Sequence, residues 1–447
     1  GYYSATAVRC RACPKLPLIL FASTCAGLGL VAVVVAIIIS WSVARSVAAT
    51  PSYEMTAGML VSAERIRQFR TNLVPTSVSM VLVAFQIVAM IAQLDFSWTR
   101  ESQAVLNAFL VVNIDTSLFA SECAVSTFHA KYVISLLLPL VLLILVAVVL
   151  VLLRAMPRLI SFASHLVQVP NRVLVDAAVF VTSPLLYIPV SRAALVLFGC
   201  VRQSNGKWVL TIDRGVECFD QAWWRVAPFG LFVVGVFVIG IPVYFGLSLF
   251  KHRTLLFEAH NLVRFGPLHR LYRRHYYWGE VANLAKRLGL VMVAVFLTGA
   301  QLLQLAILVV ILVMSVVIVS RYSPYYYPLY NTVDLRLGCA VLGLVMVAVA
   351  SYSERGNTRF HPHLLAATIV FTVVLLAVSL HAIFIDVQHL YKTRQIDGYA
   401  VSERQRHMRV VLETELLDME ASAAVRAAAD AFLMAMEAES VANDVLL

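Results

Sequence analysis

The sequence predicts an all-α polytopic membrane protein, a bundle of about nine transmembrane helices. Three observations carry that prediction. Of the 447 residues, 61% are hydrophobic and only 13% charged, about half the charged share of a soluble domain; the mean hydropathy is +0.84. The apolar residues fall in runs of about 20, the length a helix needs to cross a bilayer. The basic residues gather in the connections on alternate sides of those runs. The net charge of +10 therefore reads as topology and headgroup contact, with no nucleic-acid partner.

The chain begins at Gly1 rather than Met and is expected to be a piece of a longer protein. Residues 1–15, with Cys10 and Cys13, read as the stump of an extracellular Cys-rich module. A C-x-x-C can also be half a metal site, but no second pair follows at zinc spacing. A transmembrane domain is expected over 16–387, with spans near 16–43, 77–98, 132–153, 176–197, 227–250, 281–298, 302–320, 335–350 and 364–385.

Each span has its own grounds. The first is followed by Arg45, Arg65, Arg67 and Arg70, a cytoplasmic signature. The second holds Gln86 in mid-membrane. The third contains Pro139 and is closed by Arg154 and Arg158, after which 156–175 reads as an interfacial amphipathic piece. The fourth contains Pro184, Pro189 and Arg192, so it is expected to be kinked or broken. The fifth carries Gly240-Ile241-Pro242 near one end. Only Gly299-Ala300-Gln301 separates the sixth from the seventh, which demands an antiparallel hairpin. Arg321–Asn331 is a Pro- and Tyr-rich interfacial turn before the eighth span. Residues 388–447, after the ninth, read as a cytoplasmic helical tail, basic first and acidic later.

Two unrelated features agree on sidedness. With the N-terminus outside and the C-terminus cytoplasmic, the basic connections all face the cytoplasm. Cys10, Cys13, Cys123, Cys200 and Cys218 then all lie outside, where disulfides persist. Cys200 and Cys218 close a loop of about 19 residues, and Asn205-Gly206 between them suits a tight turn, so a disulfide-pinned hairpin is expected.

The longest polar segment between two apolar runs is Lys251–Arg287. It interleaves basic residues with Tyr272, Tyr276, Tyr277 and Trp278, as a headgroup-level segment does. Arg270, Arg273, Arg274, Trp278, Glu280, Lys286 and Arg287 are its candidates for coupling to lipid at the interface, anionic headgroups above all. Gln86, Arg192, Gln301 and Gln304 are candidates for a polar path through the bundle; hydrogen bonding between helices is the alternative for the glutamines, and bonding to carbonyls freed by Pro189 for Arg192. No Ser/His/Asp order, phosphate loop or metal-ligand cluster stands at mechanistic spacing, so no enzyme activity, cofactor or metal is expected.

The small motifs also form an ordered set. They are Gly1-Tyr2-Tyr3-Ser4 with Cys10-x-x-Cys13-Pro14; Gln86; Asn113-x-Asp115 with Glu122-Cys123; and Tyr187-x-Pro189-x-Ser191 with Phe198-Gly199-Cys200 and Cys218. Gly240-Ile241-Pro242, Leu271-Tyr272, Tyr277-Trp278-Gly279-Glu280 and Pro324-Tyr325 with Asn331 complete it. Over about Gly1 to Phe384 this order resembles the large multi-pass proteins of protists and algae that carry ephrin-receptor-like cysteine-rich ectodomains and a TRP-like or polycystin-like membrane domain. Gly279 stands where a second Trp is common in that family. The resemblance implies a TRP-like, cation-conducting and lipid-modulated channel or channel-like sensor of a plasma or ciliary membrane. Its alternative is a non-conducting anchor or receptor that displays the ectodomain and assembles with other surface proteins. A homo-oligomer is an expected assembly in either case.

Overall fold

The computed structural model describes residues 2–6, 9–12, 76–94, 98–113, 128–155, 171–204, 206–253, 268–269, 271–326, 328–354 and 360–385, with the isolated positions Phe96, Leu256, Phe265 and Gln388. The expected first span, the Arg45–Arg70 connection, Cys13, Cys123, the 156–170 stretch and the tail lie outside them. The chain divides into two units, Gly1–Ile383 and Phe384–Leu447, and the helix bundle lies in the first.

The described residues are mostly helical. Four helices are long and apolar enough to cross a membrane: Gln221–Lys251, Gln301–Tyr322, Pro328–Ser353 and His361–Ile385. They mark a membrane protein. In chain order the helices are α1 (Thr76–Ala92), α2 (Arg100–Asn107), α3 (Phe128–Ala155), α4 (Asn171–Val196), α5 (Gln221–Lys251), α6 (Gly279–Phe296), α7 (Gln301–Tyr322), α8 (Pro328–Ser353) and α9 (His361–Ile385). All but α2 fall on expected spans.

Two small hairpins amend the all-α expectation. β1 (Tyr2–Thr6) pairs antiparallel with β2 (Arg9–Ala12), and β3 (Cys200–Arg202) with β4 (Trp208–Leu210). The second is the hairpin expected from Cys200 and Cys218. Gly206 takes φ 84° in its turn, a left-handed conformation that glycine adopts without a Cβ clash. The disulfide joins Cys200 to Cys218 with the Cα atoms 6.4 Å apart, and the Cys218 N–H donates to the Trp208 carbonyl at 2.8 Å. Cys200→Ser should cost this loop about 3 kcal/mol. Faster tryptic cleavage at Arg202, Lys207 or Arg214 would report it, and unchanged cleavage would refute it.

α1 is shorter than expected. It ends at Ala92, where Gln93 and Leu94 turn back on Met90 and Ile91. Phe96 and Trp98 then pack inward, Phe96 with no exposure, and Thr99 caps the new helix α2 by accepting from the Ser102 N–H. Asp220 caps α5 in the same way, taking the Trp223 N–H at 2.6 Å. Pro328 opens α8 at a position where its missing N–H costs nothing. α9 seats the Phe371 ring against Gly343 of α8: a Cβ there would lie 2.2 Å from the ring.

α4 is the hub, in contact with α1, α3, α5 and α6. Its Phe180 and Tyr187 form an apolar cluster with Phe245 and Leu249 of α5 and Leu284 of α6. Leu256, Phe265 and Leu268 belong to the same cluster. Part of the Lys251–Arg287 stretch is thus packed into this cluster, with Leu256, Phe265 and Leu268 buried.

Candidate functional site

The site starts from two prolines. A proline inside a helix has no N–H to donate and leaves the carbonyl four residues earlier without its partner. Pro189 strands the Leu185 carbonyl of α4, and the Gln86 side chain of α1 donates to it at 2.7 Å. Pro242 strands the Val238 carbonyl of α5, at the end of a π-helical stretch over Val234–Ile239. Tyr187 of α4 donates its hydroxyl to that carbonyl at 2.8 Å. Each break is repaired by a side chain from a neighbouring helix. Gln86→Leu should cost about 0.6–1.7 kcal/mol, measured as a loss of thermal stability in detergent; a neutral result would show the Leu185 carbonyl satisfied without it.

A charge reaches the adjacent carbonyl of α4. Arg287 of α6 is only 5% exposed, and its Nη1 donates to the Pro184 carbonyl at 2.8 Å. Its Nη2 lies 3.5 Å from Oε1 of Glu280, two turns earlier on the same face of α6. Glu280 sits in the first turn of α6, where the helix dipole favours an anion. Oε2 of Glu280 accepts the Tyr272 hydroxyl at 2.9 Å, and Asn283 donates to that hydroxyl oxygen at 2.8 Å. Glu280, Asn283 and Arg287 thus make one polar stripe on α6, and Tyr272 closes its outer end.

Tyr272 in turn ties the two connections together. It pairs with Tyr325 as an isolated antiparallel bridge, with Arg273 N donating to the Pro324 carbonyl and Tyr326 N to the Leu271 carbonyl, both at 2.9 Å. The two rings stack at 5.2 Å. Asn331 clamps the Tyr325 backbone through its side-chain oxygen and nitrogen, each at 3.0 Å. The Tyr325 hydroxyl donates to Asp334 of α8 at 3.1 Å. Burial, with Glu280 beside one phenol and Asp334 beside the other, holds both hydroxyls well above the usual tyrosine range. The stability these bonds contribute is complete below about pH 10, the ordinary tyrosine value, and is lost only as the pH climbs on through the raised values.

A small cavity, about 50 Å³, lies beside this network. Its walls come from α1, α6, α7 and α8, and its polar lining is Lys286, Ser315 and Asp334. Lys286 donates to Ser315 Oγ at 3.1 Å.

The candidates from the sequence separate accordingly. Gln86 and Arg287 bond adjacent carbonyls of α4, those of Leu185 and Pro184. Gln304 is buried at the other end of α6, donating to the Val293 and Ala294 carbonyls at 3.1 and 3.3 Å. These carbonyls lie in the last turn of α6; the Leu297 N–H also donates to Val293 at 3.3 Å, and Gln304 adds a side-chain cap to the α6–α7 hairpin. Gln301 and Arg192 are half-buried; the carbonyl freed by Pro189 is taken by Gln86.

Of the interfacial set, Arg273 and Trp278 are exposed, Trp278 by 50%. Arg287, Glu280 and Lys286 make polar contacts with protein partners. Arg270 and the side chain of Arg274 lie outside the described residues. Sequence reasoning missed Asn283, Asp334 and the partner role of Tyr187. The i, i+3, i+7 spacing of Glu280, Asn283 and Arg287 was the available signal for the first. Among the described residues no group of three or more His, Cys, Asp or Glu side chains could hold a metal ion. Compared with family models, with curated proteins and with solved structures, the chain matches none.

Proposed function

We propose that this chain is the membrane domain of a TRP-like, channel-like sensor, with α4, a continuous helix that carries two internal prolines, as its moving element. The observation that carries the reading is the Arg287 contact. A buried cation links the joined connections at Tyr272 and Tyr325 to the Pro184 carbonyl inside the bundle. Charge at membrane depth is expensive and is retained where it does work. A displacement of the two connections at the lipid surface would be transmitted through Tyr272, Glu280 and Arg287 to α4. Arg273 and Trp278, which face outward, would sense the headgroups. The polar cavity at Lys286, Ser315 and Asp334 is where a cation path would widen. In this reading the protein catalyses no reaction and works in a plasma or ciliary membrane, alone or as a homo-oligomer.

One observation favours the non-conducting alternative, an anchor or receptor assembling with surface proteins. The helices around α4 share an apolar cluster that runs through α1, α3, α4, α6, α7 and α8, and the cavity, about 50 Å³, has room for only a few waters. Recordings from purified protein in planar bilayers separate the two. The channel reading expects unitary currents altered by Gln86→Leu, Arg192→Ala and Asp334→Asn. Silence under voltage, tension and anionic lipid would sink it in favour of the anchor.

A further inference from the structure

The aromatic residues of the disulfide-pinned hairpin and of the segment that leads from it into α5 have no role in the network above, and three of them are exposed. Trp208 is 46% exposed, Phe219 52% and Trp224 59%. They form a connected ridge: Trp208 meets Phe219 at 6.5 Å, Phe219 meets Trp223 at 5.0 Å, and Trp223 meets Trp224 at 5.0 Å. Trp223 is the root. It is 4% exposed and donates its indole N–H to the Leu197 carbonyl at the end of α4. Phe219 holds φ 66°, a left-handed conformation that bulky residues rarely adopt and that tends to occur where function demands it. The chain thus strains its backbone to present a phenylalanine ring outward.

The position of the ridge along α5 says what it meets. α5 has 31 residues and is about 46 Å long, against a hydrocarbon core of about 30 Å. Its uncharged stretch runs from Val226 to Phe250, bracketed by Arg225 and Lys251. With that stretch in the hydrocarbon, Gln221–Arg225 lies in the headgroup layer. The hairpin leads directly into it through the Asp220 cap. Trp224 is therefore at the depth that tryptophan favours in membranes, and Phe219 and Trp208 continue the same surface. The exposed charges of the loop nearly cancel, with Arg202, Lys207, Arg214 and Arg225 against Asp213, Glu217 and Asp220. Lys207 and Glu217 pair with each other. That balance matches a zwitterionic leaflet and gives no pull toward anionic lipid.

We propose that the Cys200–Cys218 hairpin is a membrane-interface anchor, bedding Trp208, Phe219 and Trp224 into the zwitterionic headgroup layer at that end of α5. The test uses the full chain reconstituted in phosphatidylcholine vesicles whose acyl chains are brominated near the headgroup. Tryptophan emission is compared between the parent chain and Trp208→Phe, and again with Trp224→Phe, the disulfide being verified in each. The emission lost in each variant should be the part quenched by brominated lipid and protected from aqueous iodide. Adding phosphatidylserine should leave it unchanged. Quenching by iodide alone would place the ridge in water and overturn the proposal. Protection from both quenchers would mean that protein, such as a second copy of the chain, covers the ridge, and would overturn it equally.

Discussion

Arg287→Met is expected to be among the most damaging single substitutions in the membrane domain, at about 3–5 kcal/mol. The size follows from what is left behind. The guanidinium, 5% exposed, satisfies the Pro184 carbonyl and lies beside Glu280. Methionine fills most of the volume but donates nothing. The Glu280 carboxylate keeps the Tyr272 hydroxyl yet loses its counter-charge in a low-dielectric setting, where an unpaired charge is costly. Arg287→Lys should recover only part of the loss, because an ammonium is a point donor and cannot span the two partners as the planar fork does. Pairing Arg287→Met with Glu280→Gln removes the stranded charge and should recover part of the stability. Thermal unfolding of the detergent-solubilised protein measures all three. Equal losses for Arg287→Met and the double variant would show that the Glu280 charge is not the source of the cost.

The fold was more legible in the residues than the site, for reasons that can be located. Apolar runs set the spans, and the shortness of Gly299-Ala300-Gln301 was enough to call for the α6–α7 hairpin. The end of α1 was not legible, because Phe96 and Trp98 raise the hydropathy of a segment that turns. Hydropathy reports burial, and a buried turn scores like a buried helix. α2 escaped for the converse reason: it is short and polar, and its only strong signal is the Thr99 cap. Gln86 stood out as a lone polar residue in an apolar run. Glu280, Asn283 and Asp334 did not, since polar residues near span ends are also what an interface looks like. Whether such a residue turns inward depends on the neighbour its helix face meets. Pro189 pointed to a freed carbonyl from sequence alone, and Pro242 does so once the helix around it is known. Which side chain would answer each one needed the packing of α1 against α4 and of α4 against α5.

Gly279 is the second position where a small change should have a large effect. Its importance comes from space alone. A Cβ built there lies 2.4 Å from two ring carbons of Tyr272. That ring cannot retreat freely. Tyr325 stacks on it at 5.2 Å, Glu280 and Asn283 hold its hydroxyl, and its own backbone is bridged to Tyr325. Gly279→Ala must therefore loosen the stack or break the hydroxyl bonds, at about 1–3 kcal/mol. A tryptophan at this place would require Tyr272 to leave altogether. The decisive measurement is a double-mutant cycle on thermal unfolding. In a Tyr272→Ala background the Gly279→Ala change has room and should become nearly neutral, giving a coupling on the order of 1 kcal/mol or more. Additive losses would mean that the methyl group meets something other than the Tyr272 ring. Because Tyr272 joins the paired connections to Glu280, the same substitution should uncouple the connections from α4 while the helices stay in place. Tryptic cleavage at Arg273 would then quicken without a matching change at the Cys200–Cys218 hairpin, whose contacts lie with the start of α5 and the end of α4.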